Sequence, residues 1–215
     1  MRISFSSRLY DRRGAAAAFL LAVCALIAGG ATMQDRSLTI ADFEGATIET
    51  RSGLTMMPYA DEQFGGTSDA RMSLIHPGAN GSRGALRIVF RVTAEFANPF
   101  AGAWAMVGAE GLATDLSAYR GVRFYARSKE RSAFAAGIVR FPGVQKRYTM
   151  PFEAQPDWSL IELPFDKFRE MTPGSAPPAN ASPFDAKDIT SIGVIVMTGL
   201  RGEFELDLDG VELYR

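Results

Sequence analysis

The chain has a single cysteine and a single histidine in 215 residues. Cys24 lies inside an apolar run near the start, so the chain beyond it carries no thiol and no disulfide. His76 precedes Pro77 in a Gly/Asn-rich stretch and reads as a solvent-exposed loop residue. Serine or cysteine nucleophiles need a base beside them, and zinc sites are assembled mainly from His and Cys. Both chemistries are short of residues here, so no catalytic residue is assigned and the chain is read as non-enzymatic. Excess positive charge is missing too. Residues 1–31 contain four Arg and one Asp, and setting them aside leaves 19 basic and 23 acidic residues, a net charge near −4. Nucleic acid is therefore not an expected partner. Helical periodicity is scarce, no internal repeat is evident, and no segment reads as a linker between domains.

Arg2, Arg8, Arg12 and Arg13 form a basic leader, followed by an uncharged Ala- and Leu-rich run from Gly14 to Ala31. Small residues from Ala28 to Ala31 offer a cleavage point, which is the layout of a secretory signal. The expectation is a signal peptide over 1–31, a spacer over 32–37 and one domain over 38–215. The protein would then be exported, periplasmic or extracellular. Its only membrane contact would be the N-terminal segment, if that segment stays uncleaved as an anchor.

From Leu38 onward the apolar residues follow a period of two. Leu86, Ile88, Phe90, Val92, Ala94 and Phe96 alternate with polar residues, Val89 being the one exception, which predicts an eleven-residue strand with Arg91 facing out. Val122, Phe124 and Ala126 repeat the pattern against Arg123, Tyr125 and Arg127. Phe204, Leu206 and Leu208 oppose an acidic row of Glu203, Glu205, Asp207 and Asp209, and Val211 and Leu213 then break parity by one. A bulge at Gly210 restores it. Ile192 to Met197 is apolar almost throughout and predicts a central strand. Pro164 to Met171 allows one short helical turn, while Thr172 to Pro183 has the composition of a loop. Nine or ten strands at this spacing predict an all-β, two-sheet sandwich.

Several segments taken in order resemble the complex I intermediate-associated protein 30 family. They are Ile40 to Glu44, Asp61 with Gly65-Gly66-Thr67-Ser68, Asp115-Leu116-Ser117 through Gly121, Trp158 through Phe165, Ile192-Gly193, and Gly202 through Asp209. The resemblance covers residues 38–214. It implies a galactose-binding-like jelly roll similar to family-11 carbohydrate-binding modules. It also implies an alternative role, as an interaction or assembly factor for an envelope or respiratory complex.

Trp104, Tyr125 and Tyr148 are the candidates for stacking on a sugar ring. A sugar-binding face should align two or three such rings on one sheet, whereas a protein-binding face should show an apolar patch without that alignment. Asp61, Gly65, Gly66 and Ser68 form a motif turn. Asp42 and Glu44 on the first strand, with Asp207 and Asp209 on the last, carry the oxygen donors of a structural calcium site, and also suit a wet strand face. The acidic row supports a third reading, a carboxylate-based glycoside hydrolase. The reading adopted is a carbohydrate-binding β-sandwich.

Overall fold

Alternation of apolar and polar residues, punctuated by Gly and Pro, produces twelve strands and three short 3-10 turns among the described residues of a computed structural model. The structure describes residues 37–215 apart from 52, 54, 109–111, 142–144, 172–180 and 197–198. The expected signal peptide, nearly all of the spacer, Met197 and most of the Thr172–Pro183 stretch lie outside the described residues. No α-helix occurs among those described.

The first six strands are β1 (Leu38–Ala41), β2 (Met57–Ala60), β3 (Asp69–Ile75), β4 (Ala85–Val92), β5 (Ala101–Met106) and β6 (Gly121–Arg127). The second six are β7 (Ser132–Arg140), β8 (Lys146–Ala154), β9 (Ser159–Pro164), β10 (Arg169–Glu170), β11 (Ile189–Val196) and β12 (Gly202–Tyr214). They form two antiparallel six-stranded sheets. The first runs β3-β4-β12-β6-β9, with β1 also paired to β12, and the second runs β10-β8-β7-β11-β5-β2. The additions to the expected count are short or edge segments, where alternation has too few residues to register.

Inward-facing residues of both sheets meet in one core. Phe90 of the first sheet reaches Phe134 of the second at 6.0 Å between ring centroids, and Phe124 meets Phe152 at 5.2 Å. Phe90 is fully buried while Arg91 faces solvent. The expected eleven-residue strand is shorter, ending at Val92, because its neighbour β12 begins at Gly202, directly opposite. Beyond that point the ladder has no partner, and the Thr93 N–H donates to Ser68 Oγ instead.

The parity break in β12 is a bulge. Asp209 and Glu212 lie opposite Tyr125 and Arg123, so three residues of β12 advance against two of β6. Gly210 takes φ 55° there, a conformation that costs glycine least. Central β11 lies between β7 and β5, which explains its nearly unbroken apolar run.

Candidate ligand-binding face

Outward-facing residues distinguish the two sheets. On the first sheet nearly every arginine has an acid. Arg91 Nε donates to Asp69 at 2.8 Å, and Arg87 and Arg127 both donate to Asp207 at 2.8 Å. Arg123 pairs with Glu212, and the Arg127 guanidinium also lies 4.6 Å from the Trp158 ring centre. The hydrogen bond to Asp207 raises the Arg87 pKa above its ordinary value, against the opposing effect of burial. Tyr125 belongs to this face, opposite Asp209.

The second sheet presents a different surface. Across one row, Met57, Trp104, Gly193, Gly137 and Thr149 lie side by side on β2, β5, β11, β7 and β8. Two adjoining hollows open here, about 350 and 160 Å³ in volume, and both are lined by Tyr59, Trp104 and Arg147. The indole of Trp104 reaches over β11 and β7. A Cβ placed on Gly137 would sit 2.5 Å from Trp104 Cη2, and one on Gly193 would sit 2.8 Å from Cδ2. Such distances are impossible for real side chains, so the two glycines form the floor on which the ring lies flat. The price of this pose is a buried Trp104 Nε1 that donates to no described residue, an uncommon state for a buried donor.

Tyr59 stands edge-on to Trp104, with centroids 6.4 Å apart and planes at 85°. Phe100 and Phe64 surround Tyr59 at 5.1 and 5.9 Å. The motif turn sets this cluster. Asp61 is fully buried; its Oδ1 accepts from the Ser68 N–H at 2.8 Å and its Oδ2 from the Phe100 N–H at 3.0 Å. Gly66 is confined to glycine because a Cβ would fall 2.0 Å from Asp61 Oδ1, and Gly65 closes the 3-10 turn at φ 90°. The Asp61 carboxylate thereby ties the β2–β3 connection to the start of β5, with Phe64 and Phe100 at the two ends of the tie. Arg147 lies against Tyr59, its Cζ 5.4 Å from the ring centre and its Nη2 donating to the hydroxyl at 2.8 Å.

Two sequence expectations are corrected by these placements. Trp104 and Tyr125 do not share a face, because β5 and β6 belong to different sheets. Tyr148 is fully buried in the core and edge-on to Phe184, so it is unavailable to a ligand without unfolding. Its neighbours Arg147 and Thr149 take the outward positions. Each of the four carboxylates offered for calcium accepts from protein donors. Asp42 pairs with Arg51, Glu44 accepts from the Arg83 N–H, Asp207 holds two arginines, and Asp209 accepts from the Ala79 N–H, the Ser82 hydroxyl and the Gly210 N–H. Among the described residues, no group of three or more His, Cys, Asp or Glu could hold a metal ion. Asp207 and Asp209 are also buried rather than a wet row. His76 is exposed, with Nδ1 2.6 Å from the Arg83 carbonyl. Tyr59, Phe64, Phe100 and Arg147 were missed in the sequence, although two glycines inside apolar strands, Gly137 and Gly193, signal a close approach.

The family model for complex I intermediate-associated protein 30 matches residues 42–208. The chain belongs to that family. No curated protein matches it. Among solved structures, this family member is similar to a family 11 carbohydrate-binding module from Clostridium thermocellum in complex with a β-1,3-1,4-mixed-linked tetrasaccharide. The TM-score is 0.61 at 18% identity, covering 82% of this chain and 94% of that one. The family 11 module of a cellulosomal cellulase from the same organism gives 0.62 at 19% identity, with 82% and 93% covered. A family 30 carbohydrate-binding module gives 0.55 at 15%, with 82% and 97% covered. At these identities the likeness is one of fold.

Proposed function

We propose that this member of the complex I intermediate-associated protein 30 family is a non-catalytic carbohydrate-binding domain, and that it holds a glycan on the outer face of its second sheet. The observation that carries this reading is the Trp104 indole laid flat over Gly137 and Gly193, with two hollows beside it. A flat ring offers its π face to the C–H face of a sugar, and Gln63, Gln145 and Ser191 border the same hollow with groups suited to hydroxyls. The solved modules sharing the fold add support, since one of them holds a tetrasaccharide.

One ring is a small platform. Its contribution is on the order of 1–2 kcal/mol, taking aromatic contacts as the guide, so affinity for a soluble oligosaccharide is weak. A glycan array followed by calorimetry tests the reading. Trp104→Ala should weaken binding about tenfold, since each 1.4 kcal/mol is one decade, while His76→Ala leaves it unchanged. Absence of binding across a broad array would sink it.

A second reading, an interaction or assembly factor, is favoured by one observation. Tyr59 and Trp104 are not coplanar, and Phe64 and Met57 stand 57% and 52% exposed around the same face, as on a surface that receives a protein. In that case Trp104→Ala would abolish capture of a protein partner and leave the glycan array blank.

A further inference from the structure

We infer that the glycan is an acidic one, carrying a uronate carboxylate that Arg147 receives; this rests on the carbohydrate reading of the second-sheet face. Among the described residues, Arg147 is the only charged one lining either hollow. Elsewhere among the described strands most arginines are matched by acids, the exposed Arg169 donating instead to the Asp166 and Phe168 carbonyls. Arg87, Arg91, Arg123, Arg127, Arg131 and Arg140 each lie within 4 Å of a carboxylate. Arg147, which lines both hollows, is matched by no acid among the described residues. Its hydrogen bonds go from Nη2 to two neutral oxygens, the Tyr59 hydroxyl at 2.8 Å and Gln145 Oε1 at 3.5 Å. Among the described residues, its Nε–H and Nη1–H groups donate to nothing.

A guanidinium keeps its charge at any ordinary pH and offers five donors in a planar fork matched to a carboxylate. Half-burial against Tyr59 strips some of its water, which makes an unmatched cation costly and a ligand anion correspondingly welcome. The contact with Tyr59 also fixes the guanidinium before any ligand arrives, so little side-chain freedom remains to be lost. A neutral sugar would not need such a group, because Gln63, Gln145 and Ser191 already supply hydroxyl partners. General attraction of anions is not the cause either. The region beyond residue 31 carries the net charge near −4 derived above from its 19 basic and 23 acidic residues, so its overall field repels polyanions and the preference must be local. Trp104 and Arg147 border both hollows, which places a stacking surface and a carboxylate receptor within reach of one oligosaccharide.

The test uses matched hexasaccharides of glucan, galactan and mannan, each neutral or oxidised to the C6 carboxylate, titrated into the full chain at low salt. The carboxylated member of at least one pair should bind about tenfold tighter, as a charge-assisted bidentate contact provides, and the gap should narrow as salt rises. Arg147→Gln should erase the gap, and Arg147→Lys should retain part of it. Tyr59→Phe, which removes the hydroxyl contact that fixes the guanidinium and keeps the charge, should narrow the gap without erasing it, and it stands in if Arg147→Gln folds poorly. Equal binding of the members of every pair, or a gap that survives Arg147→Gln, overturns the acidic ligand and leaves the carbohydrate reading intact. No binding by any member overturns both.

Discussion

Buried acids in this domain serve structure. Asp61, Asp207 and Asp209 are each at most 3% exposed, and each carboxylate accepts from at least two donors. The more discriminating residues for stability are Phe90 and Arg91, which are adjacent and face opposite ways. Phe90→Ala should cost about 3–5 kcal/mol, because it opens a cavity against Phe134. Arg91→Ala should cost about 1 kcal/mol at most, since its bond to Asp69 is largely exposed to water. Chemical denaturation of the two variants checks the facing; equal losses would contradict it. Asp115 provides a pH test. Hydrogen bonds from Ser117, side chain first and backbone second, hold the Asp115 carboxyl below its ordinary pKa. A depressed carboxylate stabilises the fold above its unfolded-state pKa, and that contribution fades as pH falls through the folded value. Asp115→Asn should therefore be less stable than the wild type at neutral pH. The gap should close in the acid range below the ordinary carboxylate pKa, as urea midpoints at several pH values would record.

Strands fix the site through what lies under its ring. The three atoms nearest a methyl group at position 137 all belong to the Trp104 side chain, whereas one at 193 also meets the Ala103 carbonyl oxygen at 2.2 Å. Gly137→Ala is thus the cleaner perturbation. It should lift the indole, weaken glycan binding about tenfold, comparable with loss of the stacking contact itself, and shift tryptophan fluorescence, with a smaller effect on the denaturation midpoint. Retention of full affinity would show that the flat pose does not matter. Strand parity in the sequence announced much of this layer. Phe90, Phe124 and Leu206 fall inward as alternation requires, and the slip in β12 lands on Gly210. In β8 the same rule, followed back from Phe152 and Ala154, puts Tyr148 inside; reading Tyr148 as a lone aromatic hid that.

At the scale of the molecule, fold class was legible because each strand carries its own alternation, a property of neighbours in sequence. The site was only half legible. Parity points Tyr125 outward, and Trp104 is a stacking candidate by residue type alone. Yet which sheet each strand joins depends on pairings between distant segments, and those place the two rings on opposite faces. Phe64, Phe100 and Arg147 enter the site through the same distant pairings and the Asp61 tie. The pairing of β1 with β12 is the most distant of them, joining Leu38 to Leu213. Closing so large a loop costs entropy before any contact rewards it, and folds rich in such pairings form slowly, in milliseconds to seconds. The first sheet is then completed late, with β12 waiting for β4, β6 and β1 together, and a freshly made chain spends a comparatively long time with strand edges open to capture by chaperones or by other chains.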